Sequence, residues 1–122
     1  MVATYHRGEV ELAGITTLAF LLLAALLEAG GDALVRGGLQ AANLPTRLGF
    51  MALGAVVLLA YGVTVNLPPW SFGRLLGVYV TFFFIVAQLI GWLAFGARPT
   101  APVLVGGALI IAGGLTITFW RA

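Results

Sequence analysis

Apolar residues fill this chain in four long blocks, separated by short segments that hold most of its polar and helix-breaking residues. Leu12 to Val35 is the first block, Leu48 to Leu67 the second, Leu75 to Phe95 the third and Val103 to Trp120 the fourth. About 20 residues of helix cross a bilayer, so each block is read as a membrane span, the first with enough excess for tilt or an interfacial turn. Gly37-Gly38 is expected to end the first helix. Asn43 and Pro45 break the chain before the second helix, and Pro68-Pro69 close it. Residues 1–11 form a polar lead carrying His6, Arg7, Glu9 and Glu11. It resembles no cleavable signal well, because acidic and basic residues mix in the flank and a cut after Gly30 would leave Glu28 where a small residue is needed. The reading is an all-α membrane protein: four transmembrane helices whose tight connections make neighbours antiparallel.

Composition supports the bilayer. Of 122 residues, 61% are hydrophobic and 8% charged, too few charges to cover the surface of a soluble domain of this size. The absence of cysteine excludes disulfides and thiolate metal sites. The net charge of +2 rests on six scattered arginines, which gives no basic patch for nucleic acid. Four spans place Arg7, Arg74 and Arg121 on one side of the membrane and Arg36, Arg47 and Arg98 on the other. That balance leaves the positive-inside rule nothing to act on. The chain can then insert both ways and pair with an inverted copy, or else Glu9, Glu11 and span length fix one orientation; both readings stand at this stage.

The charges inside the first block carry the most information. Glu28, Asp32 and Arg36 follow at four-residue steps and share one helical face. With Arg36 at the interface, Glu28 lies about 12 Å deeper, near mid-membrane. A carboxylate there costs several kcal/mol unless it faces a protein interior, an aqueous cavity or a cation, so Glu28 is the first candidate for function. Burial favours its protonated form and a neighbouring cation its charged form, so one site can alternate between a proton and a cationic substrate. The alternative ends the span at Leu27 and leaves all three residues as a solvated turn. Asp32 and Arg36 are expected to pair locally; if Asp32 instead shares the cavity of Glu28, one of the two carboxylates holds its proton.

Other features are weaker. Tyr79 and Trp92, thirteen residues apart, are expected to share a side of the third helix and to line a cavity, with lipid-facing packing as the default. Gly106 and Gly113 stand seven apart, as do Gly107 and Gly114, spacing that lets helices approach closely in lipid. No nucleophile with a base, metal cluster, phosphate loop or nucleotide fingerprint is present, so neither an enzyme nor a cofactor is expected.

These residues resemble the small multidrug resistance family of four-helix bacterial transporters, from about Phe20 to Trp120. Glu28 and Arg36 match that family's essential glutamate and the basic residue eight positions later, while Asp32 replaces a hydroxyl residue between them. Trp92-Leu93-Ala94-Phe95-Gly96-Ala97-Arg98 resembles its Trp-x-x-Phe-Gly-x-Arg signature, and Gly106 with Gly113 its dimer-forming glycines. Phe72-Gly73-Arg74-Leu75-Leu76-Gly77-Val78-Tyr79-Val80 is similar to the Gly-Arg-x-x-x-x-Tyr stretch of the YnfA-type branch. In multidrug members tryptophan and tyrosine of the drug cavity stand where this chain has Tyr79 and Leu76. The resemblance implies an antiparallel homodimer in a bacterial inner membrane that exports small, partly hydrophobic cations in exchange for protons, with Glu28, Asp32, Tyr79 and Trp92 as substrate- or proton-binding candidates. It leaves open a non-catalytic membrane partner or a lipid-linked-sugar flippase component, the kind of role that the resemblance implies for some four-helix relatives of this superfamily.

Overall fold

The computed structural model describes residues 2–120, with side chains described from Gly14 onward. It contains four helices: α1 (Val2–Gln40), α2 (Leu44–Val65), α3 (Phe72–Phe95) and α4 (Ala101–Phe119). All four are long and apolar enough to cross a membrane, α1 through Gly14–Gln40. The protein is an all-α membrane protein. His6, Arg7, Glu9, Glu11 and Arg121 lie outside the described side chains, although the backbone of the polar lead continues α1 without a break.

The helix boundaries depart from the expected ones where a residue does a different job. Gly38 does not end α1. It is buried, and a Cβ there would come within 3.2 Å of the Arg47 carbonyl, Phe50 and Met51, so its bare backbone lets α2 approach and the helix runs on to Gln40. Asn43 and Pro45 do not merely break the chain but start α2. The Asn43 side chain accepts a 2.9 Å bond from the Thr46 amide, and Pro45 sits in the first turn, where a missing N–H costs nothing. The second helix therefore begins four residues earlier than its apolar block. Gly96 closes α3 as a left-handed cap with φ 66°, its own amide reaching the Trp92 carbonyl and that of Ala97 the Gly91 carbonyl.

Packing arranges the helices in the order α2, α1, α3, α4. Among the described residues, α1 packs on α2 and α3, and α4 packs on α3 alone. Glycine sets the close contacts: a Cβ at Gly54 would stand 2.8 Å from Val35, and one at Gly31 2.8 Å from Leu58. On the other flank Gly107 and Gly114 face Phe84 and Thr81 of α3, whose side chains occupy the space a Cβ would need. The core consists of Leu21, Ala24, Ala25 and Ala29 from α1, Leu75, Val78, Tyr79 and Val86 from α3, and Val65 from α2. Small α1 residues opposite larger α3 residues bring the two backbones together, which matters in lipid because packing, not water exclusion, drives helix association. None of these core residues comes from α4, which leaves Leu104, Val105 and Leu109 more than 60% exposed.

Candidate functional site

Helices α1 and α3, which supply most of the core, run in the same direction, so the second half of α1 lies along the second half of α3. Glu28 is fourteen residues past Gly14 and twelve short of Gln40, at the middle of its span. Twelve residues of helix cover about 18 Å, comparable with half the hydrocarbon thickness. The helix itself runs on past Leu27 to Gln40, so Glu28 does not open a terminal turn of α1.

Tyr79 meets this carboxylate from α3. Its hydroxyl donates to Glu28 Oε2, with the Ala24 carbonyl at 3.4 Å as a second acceptor in reach. Tyr79 is only 4% exposed. Its ring is held between Tyr61 of α2, at 5.7 Å between centroids, and Phe83 one turn along α3, at 6.2 Å. Offset aromatic contacts of this kind fix a ring in place, so the phenol is presented to Glu28 by residues from both neighbouring helices. The sequence alone assigns Tyr61 no role. The usable signal was that a phenol buried in lipid needs a partner.

Asp32 and Arg36 behave differently from the local pair that their spacing predicts. Among the described residues they form no ion pair. The Arg36 guanidinium lies 5.5 Å from the centroid of Phe95, across the α1–α3 boundary. Asp32 is exposed at the mouth of a cleft of about 170 Å³ that Arg36 and Phe95 also line, together with Phe83 and Ile90. Phe83 thus connects the Tyr79–Glu28 contact with this cleft.

Trp92 does not share a side with Tyr79, which corrects the expectation from their spacing. Thirteen steps of about 100° leave two residues about 140° apart around a helix. Trp92 is 46% exposed and lines a second cleft, of about 200 Å³, between α3 and α4 with Phe84, Gln88 and Val103. Arg98, from the turn after α3, sits 5.5 Å from its ring. Gly106 and Gly113 likewise make no close contact among the described residues, since a Cβ at either would meet nothing within 4 Å. Among the described residues no group of three or more His, Cys, Asp or Glu side chains is placed to hold a metal.

The family model described as "Uncharacterised BCR, YnfA/UPF0060 family" matches residues 14–122. The chain belongs to the YnfA/UPF0060 family. The UPF0060 membrane protein of Herpetosiphon aurantiacus is 37% identical to it over 101 residues, covering 81% of this chain and 89% of the relative. That of Halalkalibacterium halodurans is 38% identical over 106 residues, covering 86% and 93%. YfjF of Bacillus subtilis, also named a UPF0060 membrane protein, is 31% identical over 106 residues, covering 86% and 94%. No solved structure matches the chain. Family membership begins at Gly14, where the polar lead has ended, so the four YnfA/UPF0060 spans are the shared unit. Glu28, Tyr79 and Tyr61 all lie inside it.

Proposed function

We propose that this YnfA/UPF0060 protein is a proton-coupled exporter of small, partly hydrophobic cations, related to the small multidrug resistance family and acting as an antiparallel homodimer in a bacterial inner membrane. The observation that supports it is the mid-span Glu28 carboxylate bonded to a buried phenol and to no fixed cation among the described residues. An intramembrane carboxylate with a neutral, exchangeable partner can give up that partner for a proton or for a substrate cation, and the two ligands exclude one another. Exchange then follows from access alternating between the two sides. Tyr79 is assigned the holding of Glu28 between ligands, and Asp32 an outer position on the path. Trp92 is reassigned within this reading to the α3–α4 cleft, away from the exchange carboxylate.

The homodimer is supported by what a single chain leaves uncovered. Among the described residues helix α4 contacts only α3, and none of them comes within 4 Å of a Cβ built at Gly106 or Gly113, which leaves room there for another helix. A second reading, a non-catalytic partner of another membrane protein or a flippase component, draws on the same uncovered face. Purified protein in proteoliposomes separates them. A proton gradient is expected to drive guanidinium, quaternary ammonium or polyamine movement in the wild type, and Glu28→Gln is expected to abolish it while folding and dimerisation persist. Undiminished transport by Glu28→Gln removes Glu28 from the mechanism, and absence of transport for all compounds in the wild type transfers the weight to the partner reading.

A further inference from the structure

The α1–α3 cleft carries two opposite charges that do not neutralise each other. Asp32 and Arg36 both line it, one helical turn apart, yet the guanidinium is laid on Phe95. The remaining wall is apolar: Phe83, Ile90 and Phe95, with alanines and a glycine providing the space. Unpaired charges of both signs beside lipid are costly, and that cost falls when a ligand supplies a partner for each. A volume of about 170 Å³ is close to the ~150 Å³ of an apolar cavity that accepts benzene. Four residues of helix separate the two charged positions by about 6 Å along the axis.

We propose that this cleft binds a small zwitterion, with its ammonium or guanidinium group on the Asp32 carboxylate, its anionic group on the Arg36 guanidinium and a ring-sized apolar body against Phe83 and Ile90. A simple cation satisfies Asp32 but is repelled by Arg36, and a simple anion meets the reverse problem, so the neutral pair of wall charges selects a ligand that is itself neutral overall. A zwitterionic lipid headgroup has the wrong order. Its ammonium lies outside its phosphate, whereas Asp32 lies deeper in the span than Arg36. The cleft adjoins the Glu28–Tyr79 contact through Phe83, but neither Glu28 nor Tyr79 lines it, so the proposal stands whether or not Glu28 exchanges protons.

Isothermal titration of the detergent-solubilised full chain with 4-(aminomethyl)benzoate, benzylammonium and benzoate tests the proposal. The zwitterion is expected to bind at least about tenfold more tightly than either singly charged analogue, as a lost charge-assisted hydrogen bond implies. Asp32→Asn is expected to bring the zwitterion down to the level of benzoate, Arg36→Gln to the level of benzylammonium, and Gly91→Leu to remove all binding by filling the cleft. Glu28→Gln is expected to leave the titration unchanged, so failure of the export reading does not touch this one. Retained helical circular dichroism and elution volume show that the variants fold. Equal affinity for the three probes, no zwitterion binding to the wild type, or binding that survives both charge substitutions overturns the proposal.

Discussion

The Tyr79 hydroxyl donates to the Glu28 carboxylate from the adjacent helix α3, fifty-one residues away in sequence, near the middle of the membrane-length segment of α1. This contact joins the one mid-span carboxylate to the aromatic stack of Tyr61, Tyr79 and Phe83. It gives the carboxylate a neutral donor that does not fix its charge.

That contact predicts energetic coupling between the two residues. A hydrogen bond to a charged group contributes about 1.5–3 kcal/mol in soluble proteins, whereas interhelical bonds in membranes average about 0.6 kcal/mol because the unfolded chain also finds partners in lipid. A double-mutant cycle of Glu28→Ala, which leaves no acceptor, and Tyr79→Phe, read by unfolding in mixed micelles, is therefore expected to give a coupling of about 1 kcal/mol. Additive effects of the two substitutions remove the contact from the folded state. In transport, Tyr79→Phe is expected to retain cation binding that Glu28→Gln lacks, because it removes the holding group and not the charge.

Close packing by glycine predicts a second pattern of stability effects. Gly54→Val places a side chain against Val35 and the Gly31 carbonyl, and neither helix can retreat without opening the α1–α2 contact. A loss of about 1–3 kcal/mol is expected, the usual cost of overpacking. Gly62→Ala on the same helix meets open space and replaces a poor helix former. It is expected to gain up to about 1 kcal/mol. Equal behaviour of the two variants in thermal melts would place the α1–α2 contact elsewhere.

The four spans were legible because apolar length alone determines a membrane crossing, and the mid-span carboxylate because its cost in lipid is large. What the sequence hid were roles that depend on a neighbouring helix. Gly38 reads as a terminator until α2 is seen lying against it. Asn43 and Pro45 read as breakers, although the same chemistry starts a helix. Tyr61 carries no local sign that its ring rests on Tyr79. The pairing of Asp32 with Arg36 fails for a similar reason: spacing permits it, but the Phe95 ring on α3 offers the guanidinium another place. Trp92 stands apart from Tyr79 because thirteen residues are not a whole number of helical turns.

The α4 glycines divide into two faces with different expected consequences. Gly107 and Gly114 face Phe84 and Thr81 within the chain, so Gly114→Leu is expected to lower stability by about 1–3 kcal/mol and loosen α4 from α3. Gly106 and Gly113 meet nothing within 4 Å. In the proposed dimer, Gly113→Leu is expected to leave the monomer's melting unchanged and to abolish a crosslinked dimer band in membranes. A dimer band that persists in Gly113→Leu assigns the subunit contact to another surface.

Orientation in the membrane supplies the last prediction, and it follows from charge placement rather than from any contact. Helix directions put Arg36, Arg47 and Arg98 at one end of the bundle and Arg74 at the other, and an even number of spans in the sequence assigns Arg7 and Arg121 to the membrane side of Arg74. Three positive residues at each end give no preferred inside, so a reporter fused after Ala122 is expected to be found on both sides of the membrane. Arg47 is exposed at the start of α2, and its side chain is free of the packed core. Arg47→Gln leaves two arginines against three, which is expected to drive the termini predominantly inward, whereas an added lysine beside Arg47 is expected to drive them outward. An inverted homodimer needs both orientations, so either substitution should also reduce crosslinked dimer in proportion to the imbalance it creates. A single orientation in the wild type that neither substitution shifts would exclude the inverted pair and leave a parallel assembly or an obligate partner to cover α4.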